Sequence, residues 1–146
     1  MNTSFNMPAY VGIILIQNNT CLLVKRHNTD WATGNWNFPG GLLEAHESLI
    51  KAAAREAHEE IGVIIDPANL MLVHVLQVSK SNTNTKDIFG FYFTATAWQG
   101  EPINNEPHRH SEIGWFALDA LPQNITAHAV QALEGITKDI RYSKHI

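Results

Sequence analysis

The chain has 146 residues, one cysteine, 45% hydrophobic and 16% charged residues, and a formal net charge of −4. That length suits one domain, 1–146, with a real core. The acidic balance leaves no basic stripe for a phosphate backbone, which excludes a nucleic-acid polymer as partner but admits a small phosphate ester brought in with cations.

Met1 to Pro8 lacks the basic region of a secretion signal, and the apolar run Tyr10–Ile16 is too short to span a bilayer, so no membrane partner is expected. Tyr10–Ile16 and Cys21–Lys25 read as a β-hairpin turning on Asn18-Asn19. Cys21 has no disulfide partner and reads as a small buried hydrophobe in a cytoplasmic protein. His27–Asn35 is a polar loop, and Trp36–Phe38 resumes extended structure before Pro39-Gly40-Gly41. From Glu47 to Ile61 the period is helical, with Leu49, Ala53, Ala57 and Ile61 as a narrow stripe of mostly small residues. Gly62 ends that helix.

Leu70–Val78 follows as a strand, Ser79–Asp87 as a mobile polar loop, and Ile88–Trp98 as an alternating strand. A turn at Gly100-Glu101-Pro102, a short strand Ile113–Phe116 and a closing helix Thr126–Thr137 complete the order. Strands mixed with one central and one terminal helix imply an α/β protein with a mixed sheet between helices.

Chemistry concentrates around the first helix. Glu56 stands beside both Glu59 and Glu60 at helical spacing, and each like-charge pair there is unfavourable by roughly 0.2–0.5 kcal/mol. A chain so sparing of charge has no structural need for that crowding. Hard cations such as Mg²⁺ take a few carboxylates plus substrate phosphates, which explains it.

Gly41, Glu47, Arg55, Glu56, Glu59, Glu60, Gly62 and Val63 match the pattern G-x5-E-x7-R-E-U-x-E-E-x-G-U, U being a bulky apolar residue. That pattern is the signature of the Nudix hydrolases, and the segment resembles the MutT-related members. The one departure is the small Ala57. Trp36-Asn37-Phe38-Pro39-Gly40 before the signature, and Glu106-Pro107, Trp115-Phe116 and Leu121-Pro122 after it, extend the resemblance to nearly the whole chain.

The resemblance implies an αβα sandwich and metal-dependent cleavage of a nucleoside diphosphate linked to another group. The expected reaction takes a nucleoside triphosphate to a monophosphate and pyrophosphate. A nucleotide-sugar or dinucleoside-polyphosphate pyrophosphatase is the alternative enzyme. A nucleotide-sensing module is the alternative outside catalysis, although such a module would be expected to have lost one of Arg55, Glu56, Glu59 and Glu60. By resemblance, Glu56, Glu59 and Glu60, with a carbonyl of Gly40 or Gly41, hold Mg²⁺ or Mn²⁺. Arg55 holds Glu56 or Glu47 by a bidentate pair.

The general base is Glu56 or an acid from a distant loop, with Glu106 and Glu112 as candidates. Arg26 is expected at the substrate phosphates. Glu47, placed in the first helical turn where the dipole favours negative charge, is read as a supporting residue bordering the substrate. Trp31, Trp36, Phe89, Tyr92 and Trp115 could include a base-stacking surface, though most suit core or rim. His108 and His110 read as a surface loop, and Thr126 as a helix cap. The state is expected to be monomer or homodimer; the base and sugar of the nucleotide have no readable code.

Overall fold

A computed structural model describes residues 4–81 and 86–145, so part of the polar 79–87 loop, residues 82–85, lies outside the described residues. Strands β1 (Ala9–Gln17) and β2 (Thr20–Arg26) turn on Asn18 and Asn19, with φ of 49° and 59°. Two successive left-handed residues make the tight turn that matches strand twist, and asparagine tolerates it. The hairpin is paired only at its tip, Ile16 with Cys21 and Gln17 with Thr20. Beyond the tip the strands part. β1 continues antiparallel to β4 (Gly40–Leu42) and parallel to β6 (Ile88–Ala95). β2 runs between β3 (Trp36–Asn37) and β7 (His110–Ala117). β6 pairs antiparallel with β5 (Met71–Val78), and β5 parallel with β8 (Tyr142–His145). The splayed ends, at Tyr10 and Arg26, are the mouth of a cleft.

Both faces of the sheet are covered, which is why β1 and β2 read as continuous apolar runs. Val11, Ile13, Leu15, Leu22 and Val24 pack under helix α1 (Leu49–Ile61) with Ala52, Ala53, Ala57 and Ile61. The alternate residues Ile14, Cys21 and Leu23 pack under α2 (Ala127–Thr137) with Ala129, Ala132 and Leu133. The expected αβα sandwich around a mixed sheet is therefore present. The alanine stripe lets α1 lie close to the sheet. No described helix is long and apolar enough to cross a membrane.

Several boundaries differ from the sequence reading. Ser48 caps α1, its hydroxyl accepting from the Lys51 N–H at 3.2 Å, so Glu47 lies outside the helix rather than in its first turn. Gly62, at φ 71°, ends α1 as expected. The strand expected through Trp98 stops at Ala95, because Gln99 pairs instead with Ile64. β7 begins at His110, three residues early, since Lys25 and Arg26 of β2 extend the ladder.

β4, β8 and a short 3-10 turn at Pro67–Asn69 had no apolar pattern to announce them. What docks β8 is His74, 1% exposed within β5. Its Nδ1 lies 2.7 Å from the Ile140 carbonyl, an acceptor only, so Nδ1 carries the proton and Nε2 accepts from the Ser143 hydroxyl at 2.7 Å. A Cβ on Gly135 would run into that imidazole, so α2 needs a bare residue there. Gly135→Ala should lower stability by about 1–3 kcal/mol through overpacking, measured by urea unfolding. An unchanged midpoint would mean that the His74 ring has room to move.

Candidate active site

The cleft, about 790 Å³, is bordered by Tyr10, Arg26, Gly40, Gly41, Glu56, Glu60 and Glu106 among others. α1 presents its alanines to the sheet, and the next face round carries Glu56 and Glu60, buried at 8% and 7% exposure. Gly40 and Gly41 both meet these carboxylates. The Gly40 N–H donates to Glu60 Oε2 at 3.0 Å, and a Cβ on Gly41 would occupy the place of the Glu56 carboxylate.

Arg55 spreads its fork among the acids. Nε and Nη2 donate to the two oxygens of Glu47 at 3.1 and 2.8 Å, a bidentate pair. Nη1 donates to Glu56 at 2.9 Å and Glu59 at 3.2 Å, and Nη2 also reaches the Leu42 carbonyl at 3.2 Å. Arg55 thus holds both Glu47 and Glu56.

A distant loop joins this cluster by satisfying the end of α1. The last turn of a helix leaves carbonyls without partners. Here the Ile61, Glu60 and Glu59 carbonyls accept from Ile103 N–H, Asn105 N–H and the Asn105 side-chain amide at 2.9, 3.0 and 3.0 Å. The next residue is Glu106, brought to the cleft with its Oε2 buried and unpartnered. His110, expected on a surface loop, is 4% exposed, with Nε2 3.9 Å from Glu60 Oε2 and Nδ1 buried without a partner. Its position opposite Arg26 in the β2–β7 ladder turns it inward. No sequence signal distinguished it from exposed His108.

Burial governs the electrostatics. Desolvation, then the nearby Glu56 and Glu106 charges, push Glu60 from 4.5 up to about 8 despite the Gly40 N–H. At Glu56, desolvation outweighs the hydrogen bond from Arg55 and the carboxyl is also raised. Half-buried Glu47 moves the other way, pulled down first by its bond from Arg55. Desolvation, then Arg26 and Arg109, hold His110 down at about 4. At pH 7 Glu60 and His110 therefore face each other as neutral acid and neutral imidazole, not as an ion pair.

On the cleft's other side, Arg26 Nε donates to the Trp31 carbonyl at 2.7 Å with its guanidinium 5.1 Å from the indole centre. Trp31 and Tyr92 border the cleft. Trp36 is core, edge-on to Phe116; Trp115 stacks on Trp98, and Phe89 is half-buried beside Phe91. Of the expected residues, Arg26, Gly41, Arg55, Glu56, Glu59, Glu60 and Glu106 line the cleft, and Glu47 touches it through Arg55. Glu112 does not. It is 56% exposed and pairs with Lys25 at 3.8 Å, which alternation directs away from Arg26.

The sheet between two helices is split at one hairpin, and the cleft there is floored by the buried carboxylates of Glu56 and Glu60. The chain belongs to the Nudix family: residues 7–135 match the NUDIX domain. It is a MutT-related Nudix hydrolase, an enzyme of the pyrophosphohydrolase class. It is 30% identical over 96 residues to the 8-oxo-dGTP diphosphatase of Escherichia coli K12, covering 66% of this chain and 70% of that protein. The 8-oxo-dGTP diphosphatase of Buchnera aphidicola is 28% identical over 95 residues, 65% of this chain and 73% of that one. A MutT NUDIX hydrolase from Burkholderia pseudomallei superposes with TM-score 0.82 at 32% identity, covering 90% of this chain and 99% of that one.

Glu60 gives the metal-free protein a pH signature. Its raised folded value means that the protonated form stabilises the fold fully below about pH 4.5 and that this contribution is lost as pH rises through about 8. In EDTA the Tm should fall between those values, and Glu60→Gln should flatten the fall. An equal slope in the variant would place the titration elsewhere.

Proposed function

We propose that this protein hydrolyses a nucleoside triphosphate to a nucleoside monophosphate and pyrophosphate, with Mg²⁺ or Mn²⁺. The observation that carries the reading is the buried Glu56 and Glu60, with half-buried Glu106, facing Arg26 across one cleft. The relatives named 8-oxo-dGTP diphosphatase support a triphosphate substrate. The anhydride between the α and β phosphorus atoms breaks; water supplies the hydroxyl to one product and a proton to the medium.

The donor set fits a hard divalent ion, being carboxylate oxygens beside the half-buried backbone of Gly41. The unpartnered Glu106 Oε2 and the raised Glu56 and Glu60 are what a site lacking its counter-charge presents. Among the described residues, no three acidic or histidine side chains already stand in metal-holding array. Arg55 donates to Glu56 and the Gly40 N–H to Glu60 instead. A divalent ion there would neutralise phosphate charge and acidify water at neutral pH.

Arg55 positions Glu56 and Glu47 by its fork and, staying protonated, transfers no proton. Glu56 or Glu106 accepts the proton of the attacking water, and Arg26 offers guanidinium donors to phosphate oxygens. Glu59, nearly half exposed at the cleft edge, would offer a further oxygen ligand to such an ion.

The test is product analysis on a panel of normal and oxidised nucleoside triphosphates, nucleotide sugars and dinucleoside polyphosphates. Triphosphates should release pyrophosphate, and excess EDTA should abolish turnover. Release of sugar phosphate, or undiminished activity in EDTA, overturns the reading. The two candidate loop acids should also separate: Glu106→Gln should lower kcat at least about tenfold, as loss of a proton-transfer group does, and Glu112→Gln should leave it unchanged. The reverse order would mean that the cleft is not where the chemistry occurs.

A further inference from the structure

The described residues carry one ordered side-chain assembly that the hydrolysis does not use. It runs from the C-terminal strand β8, beyond the matched residues 7–135, to the cleft wall. His74 anchors β8 through Ile140 and Ser143. Gln131 of α2 donates to the Ser143 hydroxyl at 2.9 Å and the Lys144 carbonyl at 3.3 Å. This fixes its amide with Oε1 toward His145, whose Nδ1 lies 3.0 Å away and must be the donor.

The His145 ring meets His128 edge-on, centres 4.7 Å apart at 85°. His128 in turn stacks on Trp31, centres 4.9 Å apart at 13°. Both His128 and Trp31 border the cleft. Burial, then His145, hold His128 down at about 4, so a neutral imidazole lies on the indole. Trp31 is fixed from its own side by Arg26 and by the Thr29 hydroxyl, which donates to its carbonyl at 2.9 Å.

We infer that β8 is a working part of the substrate pocket: His145 positions His128, and His128 with Trp31 forms the wall against which the planar base of the nucleotide packs. This rests on the nucleotide reading above. α1 supplies carboxylates to one side of the cleft, and His128 of α2 with Trp31 of the β2–β3 loop supplies the ring wall to the other, beside apolar Val78 and Ile88. A ligand charged at one end and flat at the other matches that division, because every base has a π face for which stacked rings are a sequence-tolerant platform. His145 stands behind His128, off the cleft lining. It acts by holding His128 against the indole.

The test compares the wild type with His128→Ala, His128→Phe and His145→Ala, all with Mg²⁺. kcat and KM are read for a purine nucleoside triphosphate, and the inhibition constant is read for inorganic tripolyphosphate, which has no base. His128→Ala should raise the nucleotide KM about tenfold, the size of one lost base–ring stack, with kcat and the tripolyphosphate constant unchanged. His145→Ala should raise KM by a smaller factor, about threefold, and His128→Phe should keep the wild-type KM. If His128→Ala fails to fold, the other two variants decide by the same readings. A nucleotide KM unchanged in both alanine variants, or a tripolyphosphate constant that weakens in step, overturns the inference. A wild type that turns over no nucleoside triphosphate overturns the nucleotide reading itself and this inference with it.

Discussion

Arg55 lies among Glu47, Glu56 and Glu59, and the local structure follows from the need to keep those charges together. Glu56 and Glu60 are buried on a helix face that would otherwise go to apolar residues. One cation cannot compensate them all, since its strongest bonds go to Glu47, and Glu56 and Glu60 are left raised. Burying carboxylates without full pairing is unfavourable, and proteins tolerate it chiefly at sites of function.

The rest of the fold serves that arrangement. A small-residue stripe brings α1 close to β1, and Gly41 has no side chain because Glu56 occupies that space. The splayed hairpin opens the cleft at the same end. The 103–105 segment meets the unpaired carbonyls of α1 and so fixes Glu106 beside Glu60, 46 residues further along the chain. A helix terminus, usually left to water or a local cap, here sets the position of a distant acid.

Much of the layer architecture was legible because it rests on periodicity. The hairpin, both helices, the Gly62 stop and the Thr126 cap are local signals, and each lies where its residues place it. The two-faced burial of β1 was written in its unbroken apolar run. The spacing from Gly41 to Glu60 also brought most of the cleft acids into view. Long-range docking was not legible. Glu106 and Glu112 are both loop-region acids in sequence, and only the bonds from Asn105 and the alternation of β7 send one to the cleft and the other to Lys25. His110 looked like its exposed neighbour His108. β8, a Tyr-Ser-Lys-His strand, has no apolar pattern because a buried histidine, not a hydrophobic face, docks it.

The most direct measurement is Mn²⁺ binding to the substrate-free protein, followed by electron paramagnetic resonance of the free ion. Wild type should bind, and Glu56→Gln and Glu60→Gln should each weaken binding at least about tenfold while the folded spectrum is retained; Glu112→Gln should bind as wild type. Equal Mn²⁺ affinity in all four proteins would mean that the buried carboxylates are not kept for a metal, and that the crowding on α1 has another cause.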